Sequence, residues 1–104
     1  MRYKSNKLAR LERNRFSIFT EDLEHCYICK RKKDDLHELL GGIQRKKSMQ
    51  YGLVIPVCRR CHETLENDEQ IKLNWKIQAE KKWLEVYAPF AKEDFIREFG
   101  KNYL

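Results

Sequence analysis

Apolar residues recur at every fourth position over much of the C-terminal third of the chain, with Lys, Gln and Glu in most of the positions between them. The residues that keep this spacing are Ile71, Trp75, Ala79, Trp83 and Tyr87. The period predicts an amphipathic helix that begins near residue 67 and ends at Pro89. We interpret the aromatic stripe as core and not as a ligand site, because apolar residues at helical spacing usually pack inside a protein.

A second, shorter helix is predicted at residues 93–100. Phe95, Ile96 and Phe99 are expected to face inward. Gly100 stands where helices commonly end in a left-handed residue.

The N-terminal part of the chain predicts weaker elements. Residues 3–15 predict a short polar helix with Leu8 and Leu11 on one face. Isolated helices of this length are marginal, so this helix needs a protein surface or a polyanion to stabilise it. The apolar run FSIFT at residues 16–20 predicts a short strand.

Two further apolar runs predict strands, LHELL at residues 36–40 and LVIPV at residues 53–57. Pro56 places the second run at a sheet edge or at a strand end, because proline cannot donate a ladder hydrogen bond. A turn-rich knuckle is predicted at residues 26–35, and a glycine-bounded basic loop at residues 41–52.

Composition limits the class of protein. A chain of 104 residues corresponds to one domain, and a structural metal would help so small a core to fold. There is no run of 18 apolar residues to span a membrane. The basic N-terminus has no apolar stretch typical of a secretory signal. We therefore expect a cytoplasmic protein, in a reducing compartment where cysteines act as metal ligands more often than as disulfides.

The positive charge is concentrated in the first part of the chain. The net charge is +6, with 15 Lys and Arg against 7 Asp and Glu in residues 1–60, and 7 against 9 in residues 61–104. This distribution favours a surface that binds a polyanion, most simply nucleic acid. The alternative is that these side chains only solvate exposed faces.

Four cysteines form two Cys-x2-Cys pairs separated by 28 residues. They are Cys26, Cys29, Cys58 and Cys61. Two such pairs can supply four thiolates to one structural zinc ion, with no open catalytic position on that ion. Basic neighbours would stabilise the thiolates, namely Lys30, Arg31, Arg59 and Arg60. A redox pair or two disulfides are the alternatives.

The segment between the cysteine pairs contains further candidate chemistry. His37-Glu38 lies in the strand predicted at residues 36–40, and His62 follows the last cysteine at the start of a predicted helix. The accompanying motifs are Gly41-Gly42, Arg45-Lys46-Lys47-Ser48, Tyr51-Gly52, Pro56-Val57-Cys58 and the C-terminal FGKNYL. Together they resemble small phage-encoded members of the ββα-metal, or HNH, nuclease superfamily, over roughly residues 16–104.

The resemblance implies a DNA endonuclease, phage or prophage encoded and active in the host cytoplasm, that hydrolyses phosphodiester bonds with one divalent ion, Mg²⁺ or Mn²⁺. By position, His37 and His62 would hold this ion and Glu38 would be the general base. Glu66 lies one turn after His62 and would be the third ligand, with Asn67 as the other possibility. The basic residues expected to contact DNA are Arg45, Lys46, Lys47, Arg59 and Arg60.

This chain departs from the family pattern at two places. The base position more often carries histidine, and the third ligand has no obvious counterpart. The competing hypothesis is therefore a degenerate zinc module that binds nucleic acid or a protein partner. Single His or Glu residues on a short strand are also commonly just surface residues.

The predicted architecture is a single α+β domain. It consists of a basic N-terminal segment at residues 1–15, a zinc-stapled, treble-clef-like ββα core at residues 16–66, and two C-terminal helices at residues 67–104. These two helices are expected to bury Trp75 and Trp83. The partner is expected to be DNA and not a membrane, and the oligomeric state is left open.

Overall fold

The computed structural model describes residues 6–87, 89 and 91–104, with side chains from Leu8 onward. Within them the chain forms a two-stranded antiparallel sheet and five α-helices, which confirms the α+β class. The elements in chain order are α1 (Asn6–Arg13), β1 (Asp35–Glu38), a 3₁₀ turn (Gly42–Gln44), α2 (Arg45–Tyr51), β2 (Val54–Val57), α3 (Arg59–Asn67), α4 (Glu69–Val86) and α5 (Lys92–Phe99). Residues 3–5 of the predicted first helix lie outside the described residues.

The sheet joins the two predicted strands at residues 36–40 and 53–57. Strand β1 pairs with β2 so that His37 lies opposite Ile55 and Glu38 opposite Val54. Every residue of β2 is buried, including Pro56. The free edge of β2 contacts the knuckle, because the Tyr27 N–H donates to the Pro56 carbonyl at 2.8 Å.

The predicted strand at residues 16–20 is wrong. Side chains here hydrogen-bond the backbone two residues on: Ser17 Oγ accepts from the Phe19 N–H at 3.0 Å, and Thr20 Oγ1 from the Asp22 N–H at 3.1 Å. Such local bonds compete with a strand ladder. The apolar side chains of Ile18 and Phe19 still pack against the core.

The predicted loop at residues 41–52 is also wrong in part, because residues 45–51 form helix α2. The hydroxyl of buried Ser48 donates to the Leu40 carbonyl at 2.6 Å and accepts from the Leu40 N–H at 3.1 Å, which fixes α2 to the chain after β1. Gly52 ends the helix at φ 74°, and a Cβ there would lie 2.5 Å from the Phe16 ring. Glycine meets both demands.

The core lies between the sheet and the C-terminal helices. Trp83, Phe95 and Phe99 are buried, and the Phe95 and Phe99 rings stack with centroids 4.5 Å apart. Trp75 is partly buried against the rings of Phe19 and Tyr27. The inward orientation predicted for Ile96 is wrong, since its side chain is exposed.

Helix α4 ends at Val86, before Pro89, and α5 is followed by Gly100 in the left-handed conformation, as the sequence predicts. Among the described residues, no helix is long and apolar enough to cross a membrane.

Candidate metal centres

The first pair of cysteines lies on a tight turn. The Lys30 N–H donates to the Cys26 carbonyl at 2.9 Å, and the Cys26 N–H donates to the Arg31 carbonyl at 2.6 Å. Lys30 adopts φ 71°, a left-handed conformation that closes the turn after Cys29. The result is a knuckle that presents both sulfur atoms to β2 and α3.

The second pair begins helix α3. Cys58 immediately precedes the helix and Cys61 lies in its first turn. The side chain of Asp34 secures this end, because its Oδ2 accepts the Arg59 N–H at 2.6 Å. The four sulfur atoms lie within 4.8 Å of one another, and Cys29 Sγ is 3.5 Å from Cys58 Sγ. They are close enough to hold one metal ion such as zinc.

The pKa values of the clustered thiols are shifted in both directions. Burial disfavours the Cys26 thiolate, but backbone N–H groups, first that of Cys29, outweigh burial and lower its pKa. Burial and the neighbouring cysteines raise the pKa of Cys61. Four clustered thiolates repel one another, and a bound dication would offset this repulsion.

A second group of ligand atoms lies in a separate cleft of about 450 Å³. It consists of His37 on β1 and His62 and Glu66 on α3, whose ligand atoms lie within 4.8 Å of one another. Glu66 Oε1 is 3.2 Å from His62 Nε2 and 3.9 Å from His37 Nδ1. The i, i+4 spacing brings His62 and Glu66 to the same side of the helix.

The His37 imidazole is suited to bind a cation as a neutral ring. Burial first, and then the nearby His62, lower the pKa of His37. Asp35 Oδ2 lies 3.4 Å from His62 Nδ1. With a cation in the cleft, a carboxylate on Nδ1 would orient the ring so that Nε2 could share the ion with Glu66.

Glu38 is not brought into this group. Successive side chains of a strand point to opposite faces, so Glu38 leaves β1 away from its neighbour His37. Its Oε1 accepts from Arg45 Nε at 2.7 Å, and its Oε2 lies 3.4 Å from Arg15 Nη2. Both arginines also contact Glu12 of α1, at 2.6 Å from Arg45 and 3.7 Å from Arg15. We call these four residues the ion-pair network.

Some of the basic residues expected to contact DNA are already paired with carboxylates of the protein, and others are exposed. Arg45 belongs to the ion-pair network, and Lys47 Nζ lies 3.1 Å from Glu98 Oε1. Lys46, Arg59 and Arg60 are exposed. Two of the three basic residues of α2 are thus already paired within the protein.

Several residues in or beside the cleft were missed by the sequence analysis. Asp35, which contacts His62, is two positions before His37, and strand alternation could have placed both on one face. Lys72, Lys76 and Tyr103 line the cleft itself. They lie in the part of the chain with net negative charge, so the charge distribution along the sequence did not indicate them as part of a binding surface. Asn67, the other third-ligand candidate, is the last residue of α3.

Comparison with family models, with curated proteins and with solved structures gave no match for this chain.

Proposed function

We propose that this protein is a metal-dependent DNA endonuclease of the HNH type. The observation that carries the proposal is the His37–His62–Glu66 group, which lies in an open cleft apart from the four cysteines. The order strand, strand, helix around this group supports a treble-clef-like ββα unit stapled by a structural zinc ion. The resemblance adds a phage or prophage origin and action in the host cytoplasm.

The two groups of ligands suit different ions. Four thiolates favour zinc and leave it without an open position. Two imidazoles and one carboxylate in a cleft leave room for water and a phosphate oxygen beside the ion. Mg²⁺ or Mn²⁺ bound there would polarise the scissile phosphate and stabilise the leaving oxygen.

The chain's own groups would orient the reaction. Asp35 fixes the His62 ring, and Glu66 reaches it from the next turn of α3. Glu38, in the base position, could accept a proton from water at the ion only if its side chain left Arg15 and Arg45 and turned toward the ligand group. A DNA phosphate competes for the same guanidinium groups, so substrate binding would free the carboxylate.

A plasmid-nicking assay tests the proposal. Nicking is expected only with added Mg²⁺ or Mn²⁺, and His37→Ala or His62→Ala should abolish it while zinc content and melting temperature stay near those of the wild type. Glu38→Gln should lower the rate by roughly 10² to 10⁴ if this residue is the base. Glu38→His, the more usual base type, should preserve or raise activity.

The second candidate is a non-catalytic zinc module that binds nucleic acid or a protein partner. The observation in its favour is the engagement of Glu38 by two arginines. A folded, zinc-loaded protein that leaves supercoiled, linear and branched DNA intact with either ion would support this candidate and exclude the nuclease.

A further inference from the structure

The side of the cleft formed by α4 carries positive charge. Lys72 and Lys76 lie one turn apart on α4, so both project from the same side of the helix. Both line the cleft that contains His37, His62 and Glu66. They also line a neighbouring groove of about 330 Å³, together with Lys101. The lysines therefore follow a path that leads from the ligand group to the outer surface.

Two of these ammonium groups gather around one aromatic ring. The Nζ atoms of Lys76 and Lys101 lie 5.8 Å and 5.5 Å from the ring centroid of Tyr103. Each contact is favourable by itself, but two like charges near one ring repel each other. An anion between them would relieve this repulsion. Among the residues that the structure describes, Lys72 forms a loose ion pair, at 3.9 Å, with the exposed Glu69.

The C-terminal tail that carries Lys101 and Tyr103 is anchored in the protein. The Tyr103 N–H donates to Glu80 Oε1 at 2.6 Å, and Glu80 is fully buried on α4, one turn after Lys76. The Tyr103 ring also makes an edge contact with Phe95. Because a buried carboxylate holds the tail, the position of Lys101 beside the groove is fixed by the fold.

We propose that Lys72, Lys76 and Lys101 form a phosphate-binding wall for the backbone of the DNA strand that enters the cleft. The inference rests on the proposed function for its substrate, since two of these lysines line the cleft of the group that would hold the catalytic ion. Phosphate contacts of this kind fix the register of a strand without reading its sequence. They would place successive phosphates along α4 and one phosphate at the ligand group.

The test measures DNA binding by the zinc-loaded protein without added Mg²⁺ or Mn²⁺. Binding is measured as the fluorescence anisotropy of a labelled duplex over a range of salt concentrations. The variant is Lys72→Gln with Lys76→Gln. Its control is Lys81→Gln with Lys92→Gln, which removes the same charge. Lys81 is exposed on α4. It lies nine residues, or two and a half turns, after Lys72 and therefore on the opposite side of the helix. Melting temperatures verify that each variant is folded.

We expect the cleft variant to bind at least about tenfold more weakly and to flatten the slope of log K against log salt by about 2, since each lost phosphate contact changes this slope by about 0.9. The control should match the wild type, and adding Lys101→Gln to the cleft variant should weaken binding further. Equal affinity and slope in both variants would refute the wall.

The two proposals can fail separately. If the wild type nicks DNA but the cleft variant binds it normally, the wall is refuted and the nuclease stands. If the wild type never nicks DNA but the cleft variant loses salt-dependent binding, the nuclease is refuted and the wall stands. If the wild type does not bind DNA at all, both are refuted.

Discussion

Glu66 is the residue that completes the ligand group in the cleft, and its side chain is more than half exposed. We expect Glu66→Gln to reduce nicking at a fixed Mn²⁺ concentration by more than about tenfold, since even residues that only support a metal ligand typically contribute 10- to 100-fold to affinity or activity. The melting temperature should hardly change, because the side chain is not part of the core. Nicking rates over a Mn²⁺ titration measure the effect.

The control is Glu63→Gln, which makes the same change on an exposed residue of α3 outside the ligand group. An equal loss of nicking in both variants would mean that Glu66 acts through the charge of the helix and not as a ligand.

Glu98 gives the molecule a pH-dependent contribution to stability. It accepts hydrogen bonds from the Tyr51 hydroxyl and from Lys47, and these lower its pKa below the ordinary value of 4.5. A carboxyl with a lowered pKa in the folded state stabilises the protein above pH 4.5, and this contribution disappears as pH falls through the folded-state pKa. We expect Glu98→Gln to cost about 1 kcal/mol at pH 7.

Urea unfolding measures this difference between variant and wild type at each pH, so that loss of zinc–thiolate bonds in acid affects both proteins equally. The difference should shrink below about pH 4.5. Glu93→Gln, at an exposed position of α5, is the control and should show a small difference at every pH. A Glu98→Gln difference that is constant with pH would contradict the assignment.

At the scale of the elements, α2 depends on one buried hydroxyl. We expect Ser48→Ala to lower the free energy of unfolding by about 2 kcal/mol, because it leaves the buried N–H and carbonyl of Leu40 without their partner. Denaturant unfolding measures the loss. Gln50→Ala, at an exposed position of the same helix, should be nearly neutral, and a Ser48→Ala protein as stable as that control would refute this role.

The elements that the sequence predicted correctly have strong local patterns. Helix α4 has its four-residue spacing, and β2 is a continuous apolar run. The sequence analysis did not predict helix α2, because the contact of Ser48 with Leu40 that holds it depends on tertiary structure. The expected strand at residues 16–20 failed for the opposite reason, since local hydroxyl–backbone bonds override its apolar composition.

The candidate sites divide in the same way. Cys-x2-Cys spacing and the i, i+4 pair on α3 are local, so the sequence could single out residues that the structure brings close together. The pairing of Glu38 with Arg15 and Arg45 joins three elements and has no sequence signal. The phosphate-binding wall combines lysines of α4 with Lys101 of the C-terminal tail, which Glu80 holds in place. This contact also has no signal in the sequence.

At the scale of the whole molecule, metal binding to the four thiols should contribute directly to folding. We expect Cys26→Ser or Cys61→Ser, or removal of zinc from the wild type with a chelator, to abolish cooperative unfolding or lower the melting temperature strongly. Thermal melts combined with metal analysis measure this. The His62→Ala variant should keep its zinc content and its melting temperature. A zinc-free wild type that melts at the unchanged temperature would refute a structural metal.

Cys61 and His62 are neighbours in the first turn of α3, so one turn of helix serves both metal centres. In the proposed function, zinc bound by the thiols would fix the rotation of this helix, and that rotation places His62 and Glu66 beside His37. The two proposed centres would then be thermodynamically linked, so that each ion would bind more tightly with the other in place. In a zinc-starved cell the proposed activity would therefore follow the supply of an ion that takes no part in the chemistry.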